Sequence, residues 1–185
     1  MVTVDALWLP ILVSAVLAFV ASSLLWMVVR LHESDWRGLP DEASIVEAFR
    51  RAKVPRGQYR FPYARGKEMQ SPEMKKKMAE GPAGFLVLWE RWDGSMGKQL
   101  GLWFLYLLGI SFVVAYLAGR VLAPGAAPSP VFRVVGTAAV LGYCGAVIPN
   151  SIWWGYSWAM TWKQVLDGIV YAILTAAAFA WLWPR

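Results

Sequence analysis

The sequence predicts an all-α membrane protein: four transmembrane helices with a small mixed α/β polar insert between helices 1 and 2. Three observations predict it. Apolar residues make up 58% of the 185 and charged residues only 16%, whereas soluble domains carry about a quarter charged. The charges are gathered in one place: Leu31 to Lys98 holds 13 of the 18 Lys and Arg and 10 of the 12 Asp and Glu. Long uncharged runs fill most of the rest. The chain therefore divides into a first span (1–30), a polar extramembrane insert (31–98) and three further spans (99–185).

The first run, Ala6–Val29, is long enough for a hydrocarbon core that takes roughly 20 helical residues. A signal peptide is the rival reading, disfavoured because no basic stretch precedes the run and the run is too long. Leu100–Gly119 is the second span and Val131–Ile148 the third, with Arg133 close enough to the end to reach the interface. Pro124, Gly125, Pro128 and Pro130 break the chain between them, as a tight surface turn requires. Val165–Trp183 is the fourth span, with Asp167 expected in its first turn.

Small residues recur every fourth position in three spans: Ser111, Ala115 and Gly119; Ala138, Gly142 and Ala146; Gly168, Ala172, Ala176 and Ala180. Such stripes let backbones approach where lipid leaves no hydrophobic driving force. They are expected to pack within the chain, a dimer interface being the alternative.

The insert carries its own local signals. Ser44 and Glu47 have capping-box spacing ahead of a helical face of Ile45, Val46 and Phe49. Ser71, Pro72 and Gly81 mark the cap, first position and stop of a second short helix, with Met74 and Met78 on one face. Gln58–Tyr63 alternates as a half-buried strand does, and Phe85–Trp89 is its candidate partner.

Residues 150–162, NSIWWGYSWAMTW, link the third and fourth spans. Trp and Tyr concentrate at the headgroup level, so Trp153, Trp154, Tyr156, Trp158 and Trp162 mark an interfacial segment. Four spans put this link on the same side as the insert, which holds Trp36, Trp89 and Trp92; Trp8 and Trp183 are expected to belt the opposite side. Either this is a lopsided aromatic girdle, or Trp153, Trp154, Tyr156, Trp158, Trp89 and Trp92 form a docking surface.

The sequence contains no recognisable reactive constellation. It has no nucleophile elbow, zinc-protease helix, P-loop or dinucleotide fingerprint. The pI of about 9.6 is no ground for nucleic-acid binding, because the insert has a surplus of only three positive charges, interleaved with negative ones. Cys144 is the only cysteine and His32 the only histidine, which excludes an internal disulfide and a Cys-based metal cage. His32, Glu33, Asp35, Asp41 and Glu42 cluster after span one, but match no ligand spacing and read as cap and turn. No metal, cofactor or catalytic residue is expected.

Asp167 is the best single candidate for function. It follows Lys163 by four positions, so the two share a helical face and can pair. An acid near a span suggests an ion or proton site, while a carboxylate at a helix N-terminus has a structural explanation in the dipole. The structural explanation is preferred at this stage. Asn150 is expected to cap the aromatic link or to line a pocket.

Further blocks stand in order along the chain: WMVVRLH (26–32), LPDEASIVEAF, GQYRFPY, GPAGFLV and NSIWWGYSW. In these the chain resembles a family of small four-span bacterial inner-membrane proteins of uncharacterised activity. The resemblance implies a four-helix membrane fold and an insert on the outer, periplasmic side; it supplies no site residues. Charges flanking the spans do not decide orientation, since Arg30, Lys98 and Lys163 on one side balance Arg120, Arg133 and Arg185 on the other, and Arg37 favours a cytoplasmic insert slightly.

The expected function is that of a non-catalytic accessory subunit or assembly factor, packing in the bilayer against other membrane proteins of a larger complex, energy-transducing or pigment-bearing. The alternative is a small-ligand or ion carrier with a pocket between Asp167, Asn150, His32 and the Trp-rich link.

Overall fold

A computed structural model of the chain describes residues 1–89 and 94–185. It contains four helices long and apolar enough to cross a membrane, at Asp5–Val28, Gly97–Val121, Pro128–Trp154 and Trp158–Leu182. The chain divides into two compact units, Met1–Trp36 with Met96–Arg185, and Arg37–Ser95. Residues 31–36, polar in composition, thus belong with the helices.

The first unit is a ring of four helices. α1 (Trp8–Ser23), α4 (Gly97–Val121), α5 (Pro128–Cys144) and α7 (Trp158–Leu182) pack in that cyclic order, α7 closing the ring onto α1. Small residues bring the backbones together, as expected for α4 and α7: Ser111, Ala115 and Gly119, and Gly168, Ala172 and Ala176, are buried. On α5 the expected stripe is displaced by one residue. Val131, Val135, Ala139 and Tyr143 are buried, whereas Ala146 is exposed and Ala138 and Gly142 are partly so. Close approach on α5 falls at two glycines, one of them from the expected stripe: a Cβ on Gly136 would touch Ala176, and one on Gly142 would crowd Ile110.

At one end of the ring the Val2 amide donates to the Gly119 carbonyl (2.9 Å) and Gly125 to Pro184 (2.8 Å). Both termini and the α4–α5 turn therefore meet there. Trp183 does not belt this end. It is buried and plugs the turn, its Nε1 donating to the Ala123 carbonyl (3.0 Å). Trp8 is exposed.

The Trp-rich link is largely helical. α6 (Ile148–Trp154) ends at Gly155, which is left-handed (φ +71), and Ser157 caps α7 by accepting the Met160 amide (3.1 Å). α7 thus starts at Trp158, well before the expected Val165, because the aromatics read as interface although they are also helix.

The second unit holds α2 (Glu42–Arg51), α3 (Pro72–Glu80) and an antiparallel pair of β1 (Gly57–Phe61) with β2 (Gly84–Leu88), in register Tyr59 to Leu86. Ser71 caps α3 as expected, accepting the Met74 amide. Ser44 caps nothing: α2 starts earlier, after a left-handed Asp41, and Ser44 sits inside its first turn.

Candidate functional site

The end of α1 is where the chain departs from regular geometry. Leu24–Val28 widens into a π-helical turn, with the Val29 amide reaching Leu24 and Leu31 reaching Leu25. Such widening recurs at functional sites. Arg30 then adopts a left-handed backbone (φ +54), unusual for a non-glycine residue, and the chain folds into a short 3-10 turn, Glu33–Asp35. Three-residue periodicity sets His32 and Asp35 one above the other.

Their side chains join α7 in a continuous polar chain. His32 Nδ1 lies 2.7 Å from Asp35 Oδ2, and His32 Nε2 lies 2.9 Å from Asp167 Oδ2. Lys163 Nζ donates to Asp35 Oδ1 (2.7 Å) and to Ser34 Oγ (2.8 Å). Trp26 stacks on the His32 ring at 4.0 Å, and its Nε1 donates to Asp167 Oδ2 (2.9 Å). The π-turn is what aims Trp26 at both.

Asp167 and His32 are 3% and 2% exposed. Burial by itself would raise the Asp35 carboxyl. Hydrogen bonds from Lys163 and His32 outweigh that and hold it below its ordinary value of 3.8. Asp167 is not in a first turn, since α7 starts nine residues before it; the helix-dipole explanation is lost. Nor does Lys163 form an ion pair with Asp167 among the described residues: its partner is Asp35.

Asp167 also lines a cavity of about 440 Å³, along with Trp26, Trp103, Tyr106, Tyr143, Asn150, Gln164 and Tyr171. Trp103 Nε1 is tied to Ser22 Oγ (2.9 Å), which leaves its ring as wall. Two buried acceptors, Asp167 Oδ1 and Gln164 Oε1, have no hydrogen-bond partner among the described residues.

The candidate pocket residues therefore come together: Asp167 and Asn150 line one cavity, and His32 braces Asp167 from behind. The Asn150 carbonyl also accepts the Tyr156 amide at the aromatic link. Trp153, Trp154, Tyr156 and Trp158 stay exposed, Trp153 by 73%. Trp89 belongs to the second unit and is exposed; Trp92 lies outside the described residues. Of the acidic cluster, Asp35 enters the site, Glu33 is exposed, and Asp41 and Glu42 belong to the second unit. Among the described residues no group of three or more His, Cys, Asp or Glu is placed to hold a metal.

Trp26, Asp35, Trp103 and Gln164 are the parts sequence reasoning missed as site residues. For Asp35 the three-residue step from the lone histidine was a usable signal. For Trp103 none is apparent. Compared with family models, curated proteins and solved structures, the chain matches none.

Proposed function

We propose that this is a non-catalytic, multi-pass membrane protein that carries or holds a small ligand or ion in the cavity lined by Asp167. One observation carries this reading: Asp167, a buried acid, has one oxygen with no hydrogen-bond partner among the described residues. A buried carboxylate in an apolar helix is costly unless paired, and intramembrane acids are functional sites by default. A latch that merely fastened residues 31–35 to α7 would need Oδ2 alone, which Trp26 and His32 already share. Oδ1, Gln164 Oε1 and an aromatic-walled cavity of about 440 Å³ are left over. Small-molecule sites run from about 300 to 1,000 Å³ and combine apolar walls with a few polar groups.

The second reading is an accessory subunit or assembly factor of a larger membrane complex. Exposed Trp153, Trp158 and Tyr156 favour it, since rigid aromatics anchor protein interfaces. A headgroup layer satisfies the same side chains without any partner, so the carrier reading ranks first. A bacterial inner-membrane location with the insert outside rests on the sequence resemblance.

Thermal unfolding of the full-length protein in detergent, against a panel of small cations, amines and neutral analogues, tests the reading. Three proteins are compared: wild type, Asp167→Asn, and Ser23→Phe, which fills the cavity from α1. At least one probe should raise the melting temperature of wild type and of neither variant. A panel that leaves wild type unmoved, or moves all three alike, overturns the carrier reading. A membrane partner that co-purifies in equal amount, and is lost when Trp153 and Trp154 become alanine, would put the subunit reading in its place.

A further inference from the structure

Resting on the carrier reading, we propose that the cavity binds a primary organic ammonium, and that each one bound displaces one proton from the His32 network. The ligand class follows from a tally of donors and acceptors. Asp167 and Gln164 both line the cavity, and each has one buried acceptor, Oδ1 and Oε1, without a partner among the described residues. They stand three residues apart on α7, which places them on one helical face. Their complement is a group with several N–H donors. Five of the fifteen lining residues are aromatic, Trp26, Trp103, Tyr106, Tyr143 and Tyr171, beside aliphatic and methionine side chains, and aromatic faces attract cations.

Each alternative meets fewer of these demands. A primary ammonium has three donors and a full charge. A quaternary ammonium has the charge and no donor, so both acceptors would stay unmet. An alcohol has one donor and no charge. A hard metal ion wants six or more oxygens, which an aromatic wall does not supply. The volume, far larger than an ammonium group alone requires, suits an organic body attached to it.

The proton follows from counting hydrogens. Both ring nitrogens of His32 lie within hydrogen-bond distance of a carboxylate oxygen, at 2.7 and 2.9 Å. Two such contacts need two protons, and a neutral imidazole supplies one; with Asp35 and Asp167 both ionised, the second also sits on the ring. With an imidazolium, the positive charges of His32 and Lys163 balance the negative charges of Asp35 and Asp167. No other charged side chain bonds to this chain among the described residues. The phenols of Tyr171, Tyr143 and Tyr106 complete the ionisable wall and stay neutral near pH 7.

A bound ammonium would leave one positive charge uncompensated in a buried site, which is costly. Loss of the Nε2 proton restores balance. Nδ1–H stays on Asp35, the shorter contact, Trp26 keeps its bond to Asp167, and the Asp167 carboxylate turns from imidazolium to ligand. The Nε2 proton is released to solvent as the ammonium enters the cavity. Charge and atoms balance: one cation enters, one proton departs.

The experiment is calorimetric titration of the full-length protein in detergent with phenethylammonium, phenethyl alcohol and phenethyl-trimethylammonium, in two buffers of different ionisation enthalpy. Phenethylammonium should bind at least about tenfold tighter than either analogue, since charged hydrogen bonds are at stake. Buffer dependence should report one proton released per ligand, and affinity should rise about tenfold per pH unit while the network holds its proton. His32→Gln should bind with an affinity independent of pH and release no proton. Phenethyl alcohol binding as tightly, and lost in Ser23→Phe, would overturn the amine assignment while leaving the carrier reading in place. Amine binding with no proton release would overturn the exchange. Binding of none of the three overturns the amine assignment, and the broader panel then decides the carrier reading separately. The ligand series on wild type needs no variant to fold.

Discussion

The two ends of the helical ring solve the same problem in opposite ways. At the terminal end, polar groups that could have been stranded are closed by neutral partners: the Val2 amide to Gly119, the Gly125 amide to Pro184, and the Trp183 indole to the Ala123 carbonyl. Leu7 is fully buried beside them and no charged group takes part in these bonds. At the other end α1 is widened, Arg30 is left-handed, and four ionisable groups are chained together with two acceptors unanswered. Natural sequences are locally consistent except where function requires otherwise. The contrast teaches that the terminal end holds the ring shut, while the His32 end stores the unmet interactions a ligand could use.

The largest way to break this contrast is to remove the histidine. His32→Ala leaves Asp167 with Trp26 alone and Asp35 with Lys163 alone. Leaving a buried hydrogen-bonding group without its partner costs about 1–3 kcal/mol, and two carboxyls lose one here, so the melting temperature in detergent should fall, with the loss centred on residues 24–35 in hydrogen exchange. His32→Gln should recover part of it by bonding one carboxylate. An alanine variant as stable as wild type would mean that the network does not fasten the end of α1.

How far this end could be read from sequence depends on distance along the chain. The four spans were legible because length and apolar content suffice, and the α4–α5 turn because its prolines leave little choice. In the insert, the Ser71–Pro72 start of α3 and the two strands, though not their register, were legible for the same local reason. Asp167 was found and grouped with His32 and Asn150 as a pocket, but its bonds were not: Lys163 was its expected partner. His32 meets it across 135 positions, and no local rule reports such a contact. The misplaced start of α7 compounded this, because a first-turn acid has a dipole to explain it and a third-turn acid does not. Trp26 stood out only as the start of the block WMVVRLH, since nothing in a run of apolar letters announces a π-turn.

A smaller effect, at the opposite end, sharpens the comparison. A Cβ at Gly119 would collide with the Val2 carbonyl, and that is backbone held by its own hydrogen bond, with little room to move. Gly119→Val should therefore push the N-terminal segment off α4 at a cost of about 1–3 kcal/mol, the usual range for overpacking. Thermal unfolding should show the loss, and hydrogen exchange should place it at Val2–Leu7. Binding of any cavity probe should survive. Loss of binding with the fold intact would show the two ends to be coupled rather than separate.

Acid is the gentlest probe, and its direction follows from Asp35. Its carboxyl is held below the ordinary 3.8 by Lys163 and His32, so the folded protein takes up this proton less readily than the unfolded chain. The stabilisation is therefore complete above 3.8 and is lost as pH falls through the lowered folded value. Melting temperature should accordingly hold from neutral pH to about pH 4 and then decline. Asp35→Asn should begin lower and lack that part of the decline. The terminal end has no titrating group in its bonds, so hydrogen exchange there, corrected for its intrinsic pH dependence, should stay protected while residues 31–35 open. Simultaneous opening of both ends, or an Asp35→Asn curve parallel to wild type, would remove Asp35 from the account of how this end is held.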